Sequence, residues 1–172
     1  ATGKVGVASA TQGPGLARMT TSLIVAARAR TPLVVYTSKT ALNNEHLVQY
    51  MNQDQLITAT GAGYIEVLKA SYAEDAVREA FYRARRESRP IVLCAPLEIQ
   101  QMECDADGED YKPSSEMFPG QQAIRPALER LHEAAGIIKQ SKKPVIVVGR
   151  GAMSPAAQTA ANQLAERIGA LV

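Results

Sequence analysis

The sequence predicts an α/β protein built on a parallel sheet. Three observations support this. Short apolar runs at residues 5–10, 33–36 and 91–94 read as buried strands. The stretches between them carry apolar residues at helical spacing. The first strand, helix and strand follow one another within about 30 residues, the length of a βαβ unit, which makes neighbouring strands parallel.

The elements follow in chain order. Residues 5–10 form the first strand and end in the tight turn Thr11-Gln12-Gly13-Pro14-Gly15. Leu16, Met19, Leu23 and Ala27 then share one helical face, so a helix is expected to about Arg30, where Thr31-Pro32 stops it. Leu33-Val34-Val35-Tyr36 is the second strand. Residues 38–63 are polar and weakly periodic, and read as a long irregular stretch of the kind that tends to be functional. Residues 64–68 read as a strand. Ser71 and Glu74 have capping-box spacing before a helix whose Val77, Ala80, Phe81 and Ala84 share a face. Ile91-Val92-Leu93-Cys94 is the last strand of this part.

From 101 to 120 the composition turns polar, with Asp105, Asp107, Glu109, Asp110, Lys112, Pro113 and Pro119, and predicts a solvated linker. The Asp105-to-Glu109 cluster with Glu116 has the wrong glycine position for a calcium loop. A second α/β pattern follows. Leu128, Leu131, Ala135 and Ile138 predict a helix, and Pro144-Val145-Ile146-Val147-Val148 a strand. Ser154-Pro155 then caps a helix carrying Ala157, Ala161, Leu164 and Ile168. The expected organisation is one domain over 1–100, a linker over 101–121 and the opening of a second domain over 122–172. Ala1-Thr2-Gly3-Lys4 runs straight into a strand, and the last residues stop as an apolar stretch begins, so both ends read as cut from something longer.

Composition narrows the function classes. The formal net charge is +2, which argues against a dedicated surface for nucleic acid or anionic membrane. The densest basic run, Arg83, Arg85, Arg86 and Arg89, falls late in a predicted helix and complements its dipole. Cys94 reads as a small buried hydrophobe and Cys104 as a loop thiol, with no metal-ligand or disulfide spacing. The apolar runs are far shorter than the roughly 18 residues a membrane span requires. A reducing cytoplasmic location is the default expectation. Ser9 and Ser22 lack the setting of a serine nucleophile.

The turn at 11–15 is the most informative motif. Two glycines around a proline, at the carboxyl end of a buried strand, let backbone approach a ligand closely. A tight connection with no ligand fits the same residues. An enzyme segment and a non-catalytic flavodoxin-like nucleotide-binding or interaction domain both remain open at this point.

Beyond this turn, Ala1-Thr2-Gly3-Lys4-Val5-Gly6-Val7, Thr31-Pro32-Leu33-Val34-Val35, Arg89-Pro90-Ile91-Val92-Leu93 with Pro96 and Ile99-Gln100, and Lys143-Pro144-Val145-Ile146-Val147-Val148-Gly149 stand in one order. Together they resemble the thiamine-diphosphate-dependent enzymes of the acetolactate synthase type over essentially the whole chain. The resemblance implies that 1–100 is a flavodoxin-like pyrimidine-binding domain, incomplete at its N-terminus. It also implies that 122–172 opens a Rossmann-like central domain. Thr11, Gln12, Gly13, Pro14 and Gly15 become the implied cofactor contacts. No catalytic residue is implied in this chain: the family's glutamate lies upstream of the ATGK segment, and its metal–diphosphate motif lies in another domain. The implied cofactors of the complete enzyme are thiamine diphosphate and Mg2+. The implied activity is making or breaking C–C bonds next to a carbonyl, on a 2-oxo acid or related compound, in a homodimer or homotetramer. The isolated fragment is expected to be inactive.

Two places depart from the synthases. Leu16-Ala17-Arg18 stands where they read Ala-Thr-Asn, and Tyr50-Met51-Asn52 where they carry Phe-Gln-Glu. The resemblance therefore implies the cofactor family and leaves the particular reaction open. Tyr50, Asn52, Asp54 and His46 are the candidate substrate-loop residues, with Asn43 and Asn44 beside His46 read as structural. Gly149, Arg150 and Gly151 form a broken GxGxxG between predicted strand and helix, a candidate flavin or nucleotide turn for which a scaffold role is preferred. His132 is expected to be exposed on its helix.

Overall fold

A computed structural model describes residues 4–41, 44–103, 111–118 and 124–172. The expectations placed on Ala1, Thr2, Gly3, Asn43, Cys104 and the acidic run 105–110 lie outside the described residues. The chain divides into two compact units, Ala1–Gln122 and Ala123–Val172.

In the first unit, strands β1 (Gly6–Ala10), β2 (Leu33–Lys39), β3 (Gly63–Glu66) and β4 (Pro90–Pro96) form one sheet in the order β1-β2-β4-β3, with every pairing parallel. The α/β parallel-sheet class read from the sequence holds. β4 sits between two neighbours and is buried at every position, which is why its sequence is a continuous apolar run without alternation.

Helices cover both faces. α4 (Ala73–Glu87) lays Ala76, Ala80 and Ala84 on one face, against Val34, Ile65, Ile91, Leu93 and Ala95. Three alanines four residues apart remove bulk from that helical stripe and let the axis come close to the sheet. α1 (Pro14–Ala17), α2 (Thr20–Arg28) and α3 (Gln53–Ala59) serve the other face, where Leu16, Leu23 and Ile57 pack with Val35 and Val92. Alternate residues of β2 and β4 thus feed opposite layers, as the period of two demands.

Several local expectations are corrected. The helix after the turn is two pieces, α1 and α2, separated at Arg18 and Met19. The third strand covers Gly63–Glu66 rather than 64–68. The stretch 38–63 contains α3, whose buried positions are Gln53 and Ile57. Ser71 and Glu74 do not form a capping box. Ser71 lies in the 3-10 turn Ala70–Tyr72, α4 starts at Ala73 without a side-chain cap, and Glu74 pairs with Arg78 at 2.9 Å. The basic run on α4 is engaged laterally: Arg83 pairs with Glu79 and Glu87, and Arg85 donates to the Ser114 hydroxyl at 2.7 Å.

Part of the expected linker is ordered against α4. Short helices α5 (Leu97–Gln100) and α6 (Ser114–Met117) flank the acidic run. Ser114 is buried, Arg78 donates to the Lys112 carbonyl at 2.9 Å and lies over the Tyr111 ring, and Phe118 packs on Tyr82.

The second unit holds α7 (Leu128–Gln140) and α8 (Pro155–Ile168). Ser154 caps α8 as expected, accepting from the Ala157 N–H at 3.2 Å, and Gly169 closes it at φ 65°. The predicted strand over 144–148 is not formed as a ladder. Its pairing is a single bridge, Val145 to Leu171, with the Ile146 N–H donating to the Leu171 carbonyl at 2.8 Å. Leu128 and Leu131 of the predicted inner face of α7 are exposed.

Candidate active-site face at the carboxyl ends of the strands

Parallel strands put all their carboxyl ends on one side of the sheet, and ligands of open α/β sheets bind there. Here the register aligns Ala10, Thr37, Cys94 and Glu66 in one row across β1, β2, β4 and β3. The turn at 11–15 rises from the β1 end of that row.

Gly13 adopts φ 63°, ψ −121°, in the left-handed half of backbone space, which a side chain strongly disfavours. The site is also closed sterically, because a Cβ there would overlap the Gln49 carbonyl oxygen. A Cβ on Gly15 would overlap the Thr11 methyl group. A side chain is thus blocked at Gly13 by the Gln49 backbone and at Gly15 by Thr11 within the turn. The Gly13 carbonyl accepts from the Ala17 N–H at 2.9 Å, starting α1. Pro14 follows as the first helical residue, with φ preset and no N–H to satisfy.

Three glutamines support the turn. Gln53, at the start of α3, accepts from the Gly13 N–H at 2.7 Å and donates to the Ser38 carbonyl at 2.9 Å. Its amide also meets the Cys94 sulfur at 3.6 Å. Gln12 is 4% exposed and donates to the Gln49 side-chain oxygen at 3.0 Å. The Gln12 Oε1 is buried with no hydrogen-bond partner among the described residues. A buried acceptor of this kind costs free energy until a donor arrives.

At the other end of the row, the Lys39 ammonium pairs with both Glu66 carboxylate oxygens, at 2.9 and 3.0 Å. Burial works against the Lys39 charge, but the hydrogen bond and negative charge of Glu66 outweigh it and raise its pKa. Burial pushes the Cys94 thiol up to about 11, with Glu66 adding to the effect against Tyr64 and Lys39. Burial, followed by Cys94 and Glu66, likewise raises the Tyr64 phenol. Cys94 is therefore a protonated thiol at neutral pH, and Lys39 a charged one-to-one partner of Glu66. Neither group is poised to exchange protons near neutral pH.

The sequence candidates distribute unevenly. Thr11 to Gly15 stand together at the end of β1. His46, Tyr50, Asn52 and Asp54 are all exposed, and among the described residues none of their side chains hydrogen-bonds to the turn. That contact comes from their neighbours Gln49 and Gln53, which residue-by-residue reading passed over. The hint for Gln53 was its place one turn before Ile57. Lys39 and Glu66 were also missed, since their pairing depends on strand order. Gly149, Arg150 and Gly151 are exposed around the 3-10 turn Arg150–Ala152 of the second unit. His132 is exposed on α7. Among the described residues no group of His, Cys, Asp and Glu is arranged to hold a metal, and no helix is long and apolar enough to cross a membrane.

Residues 1–62, which include β1, the turn and α3, match the family described as thiamine pyrophosphate enzyme, N-terminal TPP binding domain. The resemblance to thiamine-diphosphate-dependent enzymes of the acetolactate synthase type holds. Similar proteins include glyoxylate carboligase of Escherichia coli O157:H7, 25% identical over 95% of this chain and 27% of its own. Acetolactate synthase of Mycobacterium avium is 28% identical over 98% of this chain and 27% of its own. Acetolactate synthase 1, chloroplastic, of Nicotiana tabacum is 29% identical over 88% and 23%. The chain thus spans about a quarter of the length of the curated relatives it matches. A solved structure from Mycobacterium smegmatis, described as a thiamin diphosphate-dependent enzyme, superposes with a TM-score of 0.70 at 24% identity. It covers 98% of this chain and 32% of that one, and it supports the fold.

Proposed function

We propose that this chain is part of a thiamine-diphosphate-dependent enzyme that makes or breaks a C–C bond beside a carbonyl, acting on a 2-oxo acid or a related compound. One coincidence carries the reading. The segment matching the TPP-binding family is the segment whose backbone bends at Gly13, beside a buried acceptor with no donor among the described residues. The aminopyrimidine half of the cofactor carries an amino group and a flat ring. The turn is closely packed, Gly13 on the Gln49 backbone and Gly15 on Thr11, and the open acceptor of the adjacent Gln12 amide suits such an amino group.

In this reading Thr11, Gln12, Gly13, Pro14 and Gly15 hold the ring. Gln12 Oε1 supplies a hydrogen-bond acceptor, and Pro14 fixes the direction in which α1 leaves. When bound, the cofactor supplies the carbon nucleophile and the electron sink for the reaction. Mg2+ and the diphosphate are assigned to parts of the protein other than these residues, as are the catalytic acid and base groups. His46, Tyr50, Asn52 and Asp54 are assigned to the substrate side of the loop. Residues 1–100 act as the pyrimidine-binding domain, 101–121 as a connecting segment and 122–172 as the start of a Rossmann-like domain. The Gly149-Arg150-Gly151 turn is given a scaffold role in preference to FAD binding. The working form is a cytoplasmic homodimer or homotetramer, and residues 1–172 alone are inactive.

Calorimetry on the full-length protein with thiamine diphosphate and saturating Mg2+ tests the reading. The wild type is expected to bind, and Gly13→Ala to bind at least tenfold more weakly, because its Cβ collides with the Gln49 carbonyl. No binding by the wild type would reject the assignment in favour of a non-catalytic flavodoxin-like domain.

A further inference from the structure

Gln12 is 4% exposed, and its Nε2 donates to Gln49 Oε1 at 3.0 Å. A primary amide carries its donor and its acceptor on opposite branches of one planar group. With the nitrogen branch turned to Gln49, the oxygen branch points elsewhere, and Oε1 is the buried atom with no partner among the described residues. The end of Gln12 that stays open is therefore decided by the end that Gln49 takes.

Gln49 is placed to make that choice. It is exposed, in a loop tied by the Tyr50 N–H donating to the Leu47 carbonyl at 2.8 Å. Its backbone carbonyl lies against Gly13, where it blocks a Cβ, and its side chain reaches the turn through Gln12. The backbone contact seats the loop beside the turn, while the side chain sets the polarity of the neighbouring amide. Being an amide itself, Gln49 is able to accept from Gln12 or to donate to it. A carboxylate at this position would only accept, and an ammonium would only donate.

We propose that Gln49 is a positioning residue that sets which end of the Gln12 amide faces the bound ring. By accepting from Nε2 it leaves an acceptor open. The site then favours a heterocycle that presents an amino group over one that presents an oxygen at the same place. This rests on the reading of the turn as a thiamine diphosphate site. Gln49 acts through Gln12, and no contact with the ligand is assigned to it.

The test uses the full-length protein with saturating Mg2+, as wild type, Gln49→Glu, Gln49→Lys and Gln49→Leu. Two probes are titrated by calorimetry: thiamine diphosphate, and its analogue with an oxygen in place of the pyrimidine amino group. Both carry the same diphosphate, so the ratio of the analogue's Kd to that of thiamine diphosphate cancels any pull of a charge at position 49 on the phosphates. Gln49→Glu fixes the acceptor and is expected to keep the wild-type ratio or raise it. Gln49→Lys donates to Gln12 Oε1 and leaves Nε2 open. Its ratio is expected to fall at least about fivefold below that of Gln49→Glu, the size of one net hydrogen bond. Gln49→Leu takes neither end and is expected to lie between them. For thiamine diphosphate alone, charge attraction would make Gln49→Lys the tighter binder, whereas this inference expects Gln49→Glu to be tighter. Position 49 is exposed, so the variants are expected to keep the cofactor-free thermal midpoint. Should Gln49→Lys fail to fold, Gln49→Leu replaces it, with a separation from Gln49→Glu of at least about twofold expected. A smaller separation in either comparison overturns the inference. Absence of thiamine diphosphate binding by the wild type overturns the cofactor reading and this inference with it. Wild-type binding with a ratio indifferent to residue 49 overturns this inference alone.

Discussion

Pro90-Ile91-Val92-Leu93-Cys94 and Pro144-Val145-Ile146-Val147-Val148 are nearly the same kind of sequence, a proline opening a run of four apolar residues. Their fates differ. The first is buried along its length between β2 and β3, with α4 on one face and Val35, Ile57 and Leu23 on the other. The second makes one bridge, and Val147 is 91% exposed. Apolar, β-branched sequence supplies a surface that packs well, but a strand is completed by its neighbours, because each N–H and C=O needs a partner. In the first unit, neighbours supply both hydrogen bonds and burial. Among the described residues of the second unit, Ala165 is the one buried apolar side chain.

The largest test of this contrast is a matched pair of truncations. Ile91→Ala is expected to cost about 2–5 kcal/mol, the range for opening a cavity in a packed core. Val147→Ala, whose side chain is already in water, is expected to stay within about 0.5 kcal/mol. Guanidinium denaturation followed by circular dichroism measures both, and equal costs would break the comparison. A smaller effect is expected from Ser154→Ala, which removes the cap on α8. A loss of about 1 kcal/mol confined to helix signal from the second unit would show that the unit depends on local terms. The smallest is Arg130→Ala. Its pairing with Glu133 is exposed on both sides, so its removal is expected to change the unfolding free energy by less than about 0.5 kcal/mol.

The same contrast explains what the sequence disclosed. β2, β4 and the turn at 11–15 were legible because strand burial and glycine placement leave local marks, whereas β1, read as a buried strand, forms at the sheet edge with none of its residues buried and Val7 exposed. α3 was hidden because only Gln53 and Ile57 of its seven residues are buried, and one of those is polar. The capping box at Ser71 and Glu74 had the right spacing, but the chain enters α4 through a 3-10 turn and Glu74 turns outward to Arg78. Segment 111–118 looked solvated because its anchors, Arg78, Tyr82 and Arg85, lie far back in the sequence. In the site, the glycines announced themselves. The amide support of Gln53 and the Lys39–Glu66 pair did not, since both depend on which strands become neighbours.

The bend at Gly13 has a kinetic consequence. Its N–H is held at 2.7 Å by a buried amide, and its carbonyl already belongs to α1, so under the proposed reading a ligand would meet a turn that is folded before it arrives. Encounter then needs no slow loop closure at this point, and little of the binding energy is lost to ordering the chain. Ligands that differ in how well they satisfy the Gln12 acceptor would arrive at similar rates and leave at different ones, so discrimination at this turn would be written in residence time.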